Sequence, residues 1–152
     1  MDAGHDDLSS EPPHGDAPRD VPHDDVAAVL AVNRRFYEAF EASDLDALAA
    51  TWEHSDRVVC THPGWTTIRG WDAVFESWRA IVRGGGAPQF ILTNERAEVQ
   101  GDVAWVTVDE NLIGSRGASG TVAALNVLAR GDDGVWRLVA HHGSSVVLRP
   151  PR

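Results

Sequence analysis

The chain has 152 residues, 43% of them hydrophobic and six of them tryptophan, which is the length of one domain with enough apolar side chain to build a core. A formal net charge of −10 leaves no basic stripe for nucleic acid, and no apolar run approaches the ~18 residues that would span a bilayer. The single cysteine, Cys60, excludes an internal disulfide framework and a Cys-rich zinc site.

Residues 1–25 hold eight acidic side chains and one basic one, Arg19, while the other 127 residues hold fifteen acids and twelve arginines. The acidity therefore belongs to a tail, and the domain behind it is close to neutral. Residues 1–22 are rich in Asp, Pro, Gly, Ser and His and read as a disordered acidic tail, because they bury too little to offset ordering entropy. His5, His14 and His23 among these aspartates offer a weak metal-binding alternative to a merely solvated tail. The acidic start lacks the apolar segment of a secretory signal. With one cysteine and no membrane segment, the reading is a cytoplasmic protein.

The domain is expected over 23–149, with 150–152 as a C-terminal tail. Asp24-Asp25 caps a first helix. Behind it Val26, Val29, Leu30, Phe36, Tyr37 and Phe40 recur at helical spacing to about Ala42. Ser43-Asp44 breaks that helix and starts a second, with Leu45, Leu48, Ala49 and Trp52 on one face. Val58 to His62 is a short strand. It runs into His62-Pro63-Gly64-Trp65, where the proline holds His62 extended, Gly64 permits a sharp turn and Trp65 supplies an aromatic wall. An imidazole held beside such a wall suits proton transfer; the plainer alternative is a strand-end histidine bonded to a carbonyl. Arg69-Gly70 opens a third helix striped by Val74, Phe75, Trp78, Ile81 and Val82, and Gly84-Gly85-Gly86 ends it.

Strands follow over 90–100, 103–113, 121–130 and 135–148, separated by Gly-containing turns. Helices first and an antiparallel meander after give an α+β layout. Alternation along a strand assigns faces. In the last strand Arg137 marks the outer face, which sends His142 inward with Trp136, Leu138 and Ala140, and leaves His141 outside, available to a subunit contact. In the strand before it Val122, Ala124, Asn126 and Leu128 share the inner face. In strand 103–113 the more apolar register, Ala104, Val106, Val108, Glu110 and Leu112, is expected to face inward, where burial would raise the pKa of Glu110; the alternative register holds Trp105, Thr107, Asp109 and Asn111.

Together, Phe36-Tyr37 with Phe40 and Asp44-Leu45, Trp52, the His62-to-Trp65 turn, Gly70, Trp78, Gly101 to Val106 and the run Trp136 to Ser144 resemble the SnoaL-like branch of the NTF2-like superfamily over residues 25–148. The resemblance implies a cone: three N-terminal helices packed on a strongly curved, mostly antiparallel sheet, with a pocket at the open end and a homodimer through the outer sheet face. Ketosteroid isomerases of this fold carry their base directly before a proline at the end of the first short strand, where His62 stands. They carry a donating acid on the penultimate strand, where Asn126 falls. Their oxyanion tyrosine lies on the first helix, eight residues before an Asp that starts the second; counting back eight from Asp44 gives Phe36, with Tyr37 one step off.

The resemblance thus implies a pocket for a small apolar or polyketide- or steroid-like molecule bearing a carbonyl. Acid/base chemistry of isomerase, cyclase or hydrolase type would need no cofactor. His62 would be the base, Asn126 the donor to a developing enolate, and His142 and Glu110 would orient it or relay protons. Trp65, Phe36, Tyr37 and Trp78 would line the wall. The alternatives are a non-catalytic binding or dimerisation module of the same fold and, less favoured, a zinc-type site from His62, His142 and Glu110.

Overall fold

The computed structural model describes residues 23–85, 88–114 and 119–147. The expected acidic tail over 1–22, with the metal alternative at His5 and His14, and the C-terminal tail over 150–152 lie outside the described residues.

Three helices precede or interrupt the strands: α1 (His23–Glu41), α2 (Leu45–Ala50) and α3 (Trp71–Arg83). Strands β1 (Val59–Thr61), β2 (Ile68–Arg69), β3 (Gln89–Gln100), β4 (Val103–Ile113), β5 (Ser119–Arg130) and β6 (Trp136–Ser145) form one curved sheet in the order β2-β1-β6-β5-β4-β3. All pairings are antiparallel except β1 with β6. The two-residue β2 was not foreseen, and neither was the parallel contact. A three-residue strand carries no period long enough to reveal its partner.

Helix α1 buries Val29, Val32, Phe36, Tyr37 and Phe40 along one stripe, and Asn33 lies on that same stripe, fully buried. Asp44 caps α2 by accepting from the Ala47 N–H at 3.0 Å. Helix α3 buries Val74, Ser77 and Trp78. These faces meet Val106, Val108, Leu128 and Leu138 of the inner sheet face. Aromatic rings knit the layers edge to face: Phe36 lies 5.3 Å from Trp78, and Phe40 lies 4.9 Å from the same ring.

Two irregularities set which polar side chains enter the interior. In β6, Leu138 pairs with Leu128 and Ala140 with Val127, so Val139 is an extra residue against an unbroken partner strand. This β-bulge resets the alternation. Trp136 and Leu138 point inward before it, and His141 points inward after it at 4% exposure, while His142 is exposed. The expectation that His142 faces in and His141 out is therefore reversed. Strict period-two counting across residues 136–142 cannot see an inserted residue. In β3 the register also shifts between Thr93 and Arg96, and Asn94 takes a positive φ of 55°, a conformation asparagine tolerates. Glu95 is thereby directed to α1.

Candidate functional site

The turn His62-Pro63-Gly64-Trp65 delivers the first site residue. The Trp65 N–H donates to the His62 carbonyl at 2.9 Å, and Gly64 has φ 82°. Proline at the second position and a positive-φ glycine at the third are what a type II turn demands. Parallel pairing of β1 with β6 places Cys60 beside His141 and Thr61 beside His142. A side chain at Gly143 would meet Pro63 at 3.2 Å and Val122 at 3.1 Å, so this glycine lets the turn close against β6. The His62 ring consequently sits 6.4 Å from the His141 ring.

His62 is buried at 3% exposure, between Trp65 at 4.9 Å and Trp78 at 4.5 Å. Its Nε2 lies 2.8 Å from Ser77 Oγ, and Ser77 donates its own proton to the Val74 carbonyl at 2.6 Å. Ser77 must therefore accept, and His62 carries its proton on Nε2. Burial pushes the imidazole down to about 4. Cys60 Sγ approaches His62 Nε2 at 3.7 Å, but burial pushes the thiol up to about 12, so this is not an activated Cys–His nucleophile.

A second polar group runs through the core. Tyr37 donates to Glu110 Oε1 at 2.7 Å. Asn126 Nδ2 donates to the Tyr37 hydroxyl oxygen at 3.1 Å and to Asn33 Oδ1 at 2.8 Å, and Asn126 Oδ1 lies 2.6 Å from His141 Nδ1. Asn33 Nδ2 donates to Glu95 Oε2 at 2.8 Å. Desolvation pushes Glu110 up to about 7, and the Tyr37 hydrogen bond holds it back from rising further. Desolvation, then the Glu110 carboxylate, raises the Tyr37 phenol well above its ordinary range. His141 is pushed down to about 3, first by burial and then by the neighbouring imidazoles of His62 and His142.

These groups meet at a cavity of about 190 Å³ bordered by Phe36, Tyr37, His62, Trp65, Trp78, Glu110 and His141. A larger hollow of about 430 Å³ lies between α1, α2 and the start of β6, edged by Arg35, Glu38 and Asp44. Arg35, Glu38 and Asp44 are exposed to solvent, whereas the smaller cavity brings the buried His62, Glu110 and His141 together, so the smaller cavity is the site.

Of the expected residues, His62, Glu110, Phe36, Tyr37, Trp65 and Trp78 come together here. Asn126 does not border the cavity: it is fully buried behind it, and its N–H groups are spent on Asn33 and Tyr37. It cannot donate to an enolate oxygen as expected. His142 faces away, which also removes the zinc-type trio of His62, His142 and Glu110. Counting from Asp44 favoured Phe36 as the tyrosine equivalent, but the hydroxyl that reaches Glu110 belongs to Tyr37. His141, Asn33, Ser77 and Glu95 were missed. Asn33 carried a usable signal, four residues before Tyr37 on an otherwise apolar stripe.

The family model for the SnoaL-like domain matches residues 29–148. A candidate dehydratase of the NTF2-like family from Streptomyces avermitilis is 36% identical, with a TM-score of 0.76 over 84% of this chain and 100% of that one. A candidate calcium/calmodulin-dependent protein kinase type II association domain from Thiobacillus denitrificans is 34% identical, with a TM-score of 0.71 over 78% of this chain and 94% of that one. The F-box protein SKIP8 of Arabidopsis thaliana is 26% identical over 121 residues, 80% of this chain and 51% of that protein. The chain thus spans about half the length of that curated relative.

Proposed function

The chain belongs to the SnoaL-like domain family, within the NTF2-like fold, and on that premise we propose that it transfers protons on a small, largely apolar carbonyl compound held in the 190 Å³ cavity. The observation that carries this reading is the convergence of Glu110, Tyr37, His62 and His141 on one cavity otherwise walled by aromatic rings. Such chemistry draws only on proton donors and acceptors that the chain supplies.

Glu110 is the acid/base group. A carboxyl pushed up to about 7 is matched to proton exchange near neutral pH. The imidazoles, held near 4 and 3, are much weaker bases. This moves the role of base from His62 to Glu110. His62 and His141 instead hold the substrate as neutral acceptors, and Tyr37 steadies Glu110. Loss of water from a β-hydroxy carbonyl compound fits a single group that takes a proton and returns it. A cavity of ~150 Å³ takes a benzene ring, so the volume suits one ring rather than a four-ring skeleton.

The test is a panel of cyclic β-hydroxy ketones followed by the absorbance of the conjugated product, with native mass spectrometry for co-purifying small molecules. Turnover by the wild type and its loss in Glu110→Gln support the reading. No turnover, together with no small molecule lost on His62→Ala, sinks it.

A second reading is a non-catalytic association module. The likeness to a candidate association domain favours it, as do Val103, Trp105 and Leu125, which are exposed on the outer sheet face. A second copy of the chain would cover that face. Light scattering checks this: a dimer that falls to monomer in Leu125→Arg supports the homodimer, and a wild-type monomer at micromolar concentration removes it.

A further inference from the structure

We infer that the cavity takes a single-ring compound bearing a hydroxyl, and that this hydroxyl donates its proton to Nε2 of His141. The inference deepens the proposed function, on which it rests for the location of the site. It follows from tracing every polar proton around the cavity to its acceptor.

The trace starts at Glu95, whose carboxylate can only accept. Asn33 must therefore turn its NH₂ toward Glu95, which leaves its Oδ1 as acceptor. Asn126 must then turn its NH₂ toward Asn33 Oδ1 and the Tyr37 oxygen. That turns Asn126 Oδ1 toward His141 at 2.6 Å, so the His141 proton sits on Nδ1. Nε2 keeps a lone pair and has no hydrogen-bond partner among the described residues. Two bulges underlie the arrangement: the one in β3 aims Glu95 at Asn33, and the one in β6 aims His141 at Asn126.

The remaining protons are spent in the same way. His62 donates to Ser77, and Tyr37 donates to Glu110. Neither indole supplies a central donor. The Trp78 Nε1 atom is sealed in the core, and Trp65 stands at the rim, 47% exposed. With Glu110 ionised, the inner polar wall therefore offers lone pairs and no proton. A ligand whose oxygen can only accept displaces water from those lone pairs and leaves them unpaired, which is the costly case. A hydroxyl pairs one of them, and the aromatic wall takes the ring.

The experiment compares p-cresol with 4-methylanisole, the same ring with its hydroxyl proton replaced by methyl. Binding to the full chain is measured by calorimetry at pH 8, where Glu110 is ionised. Expected is roughly fivefold to tenfold tighter binding of p-cresol, the worth of one neutral hydrogen bond. Long-range ¹⁵N–¹H NMR of the free protein should show the His141 proton on Nδ1, and p-cresol should shift the Nε2 resonance. Equal binding of the two probes, or a proton on Nε2, overturns the inference while leaving the cavity as a binding site. Failure of both probes to bind overturns the inference and the placement of the site together.

Discussion

The two hollows of this molecule differ in a way that size does not capture. The groove between α1, α2 and β6 has more than twice the volume of the inner cavity, 430 against 190 Å³, and charged residues at its edge. Arg35 and Glu38 there are exposed to solvent. The inner cavity holds four ionisable groups whose affinities for protons have all been moved by burial. A surface groove can lose a side chain and refill with solvent. A core network cannot, because a group that loses its partner there is left buried and unpaired.

That contrast can be broken or sharpened by substitution. The largest effect is expected from Glu110→Gln, which should lower the proton-transfer rate about 10²–10⁴-fold. In the wild type the rate should rise with pH and level off above about 7 as Glu110 ionises, and this inflection should vanish in the variant. A pH–rate profile for both proteins, on any compound turned over in the panel, checks it. A retained inflection would move the acid/base role elsewhere.

Next in size is Asn126→Leu. It strands the N–H of His141 and Oδ1 of Asn33 in the core, and should cost about 3 kcal/mol in urea-denaturation experiments. A loss below ~1 kcal/mol would mean that the network relaxes like a surface.

A smaller effect comes from pH alone. His62 and His141 have folded pKa values below the ordinary imidazole value of 6.5, so the unfolded chain binds more protons as pH falls, and stability is lost. Glu110 acts in the opposite direction: its folded pKa lies above the ordinary 4.5, so stability is gained as pH falls through 7. Between pH 7 and 5 the two imidazoles outweigh the one carboxyl, and the net loss should be roughly 2 kcal/mol. In Glu110→Gln the opposing contribution is gone, and the acid loss should roughly double. Urea midpoints at the two pH values for both proteins decide it.

Smallest is the groove itself. Glu38→Gln should change stability by less than ~0.5 kcal/mol and leave the rate untouched. A large loss in either quantity would assign this hollow a role the inner cavity was thought to hold alone.

The same difference governs what could be read without coordinates. Helix α1, the long strands and the buried Glu110 follow from regular periods, and the His62 turn follows from proline and glycine acting within four residues. The polar network depends on residues far apart in sequence, such as Asn33 with Glu95 and Asn126 with Asn33. Its decisive step is one extra residue, Val139. A bulge has no period, so local counting sent the wrong histidine inward. The α1 tyrosine failed similarly: counting back from Asp44 pointed to Phe36, and only side-chain direction distinguished Tyr37.

Two histidines stand side by side just beyond that bulge. Should the far half of β6 slip by a single position, His142 would come opposite Asn126 in place of His141. The interior would then still receive an imidazole. A doubled residue beside an insertion works as a spare: a slip of one position in that direction leaves an imidazole in the same place in the site.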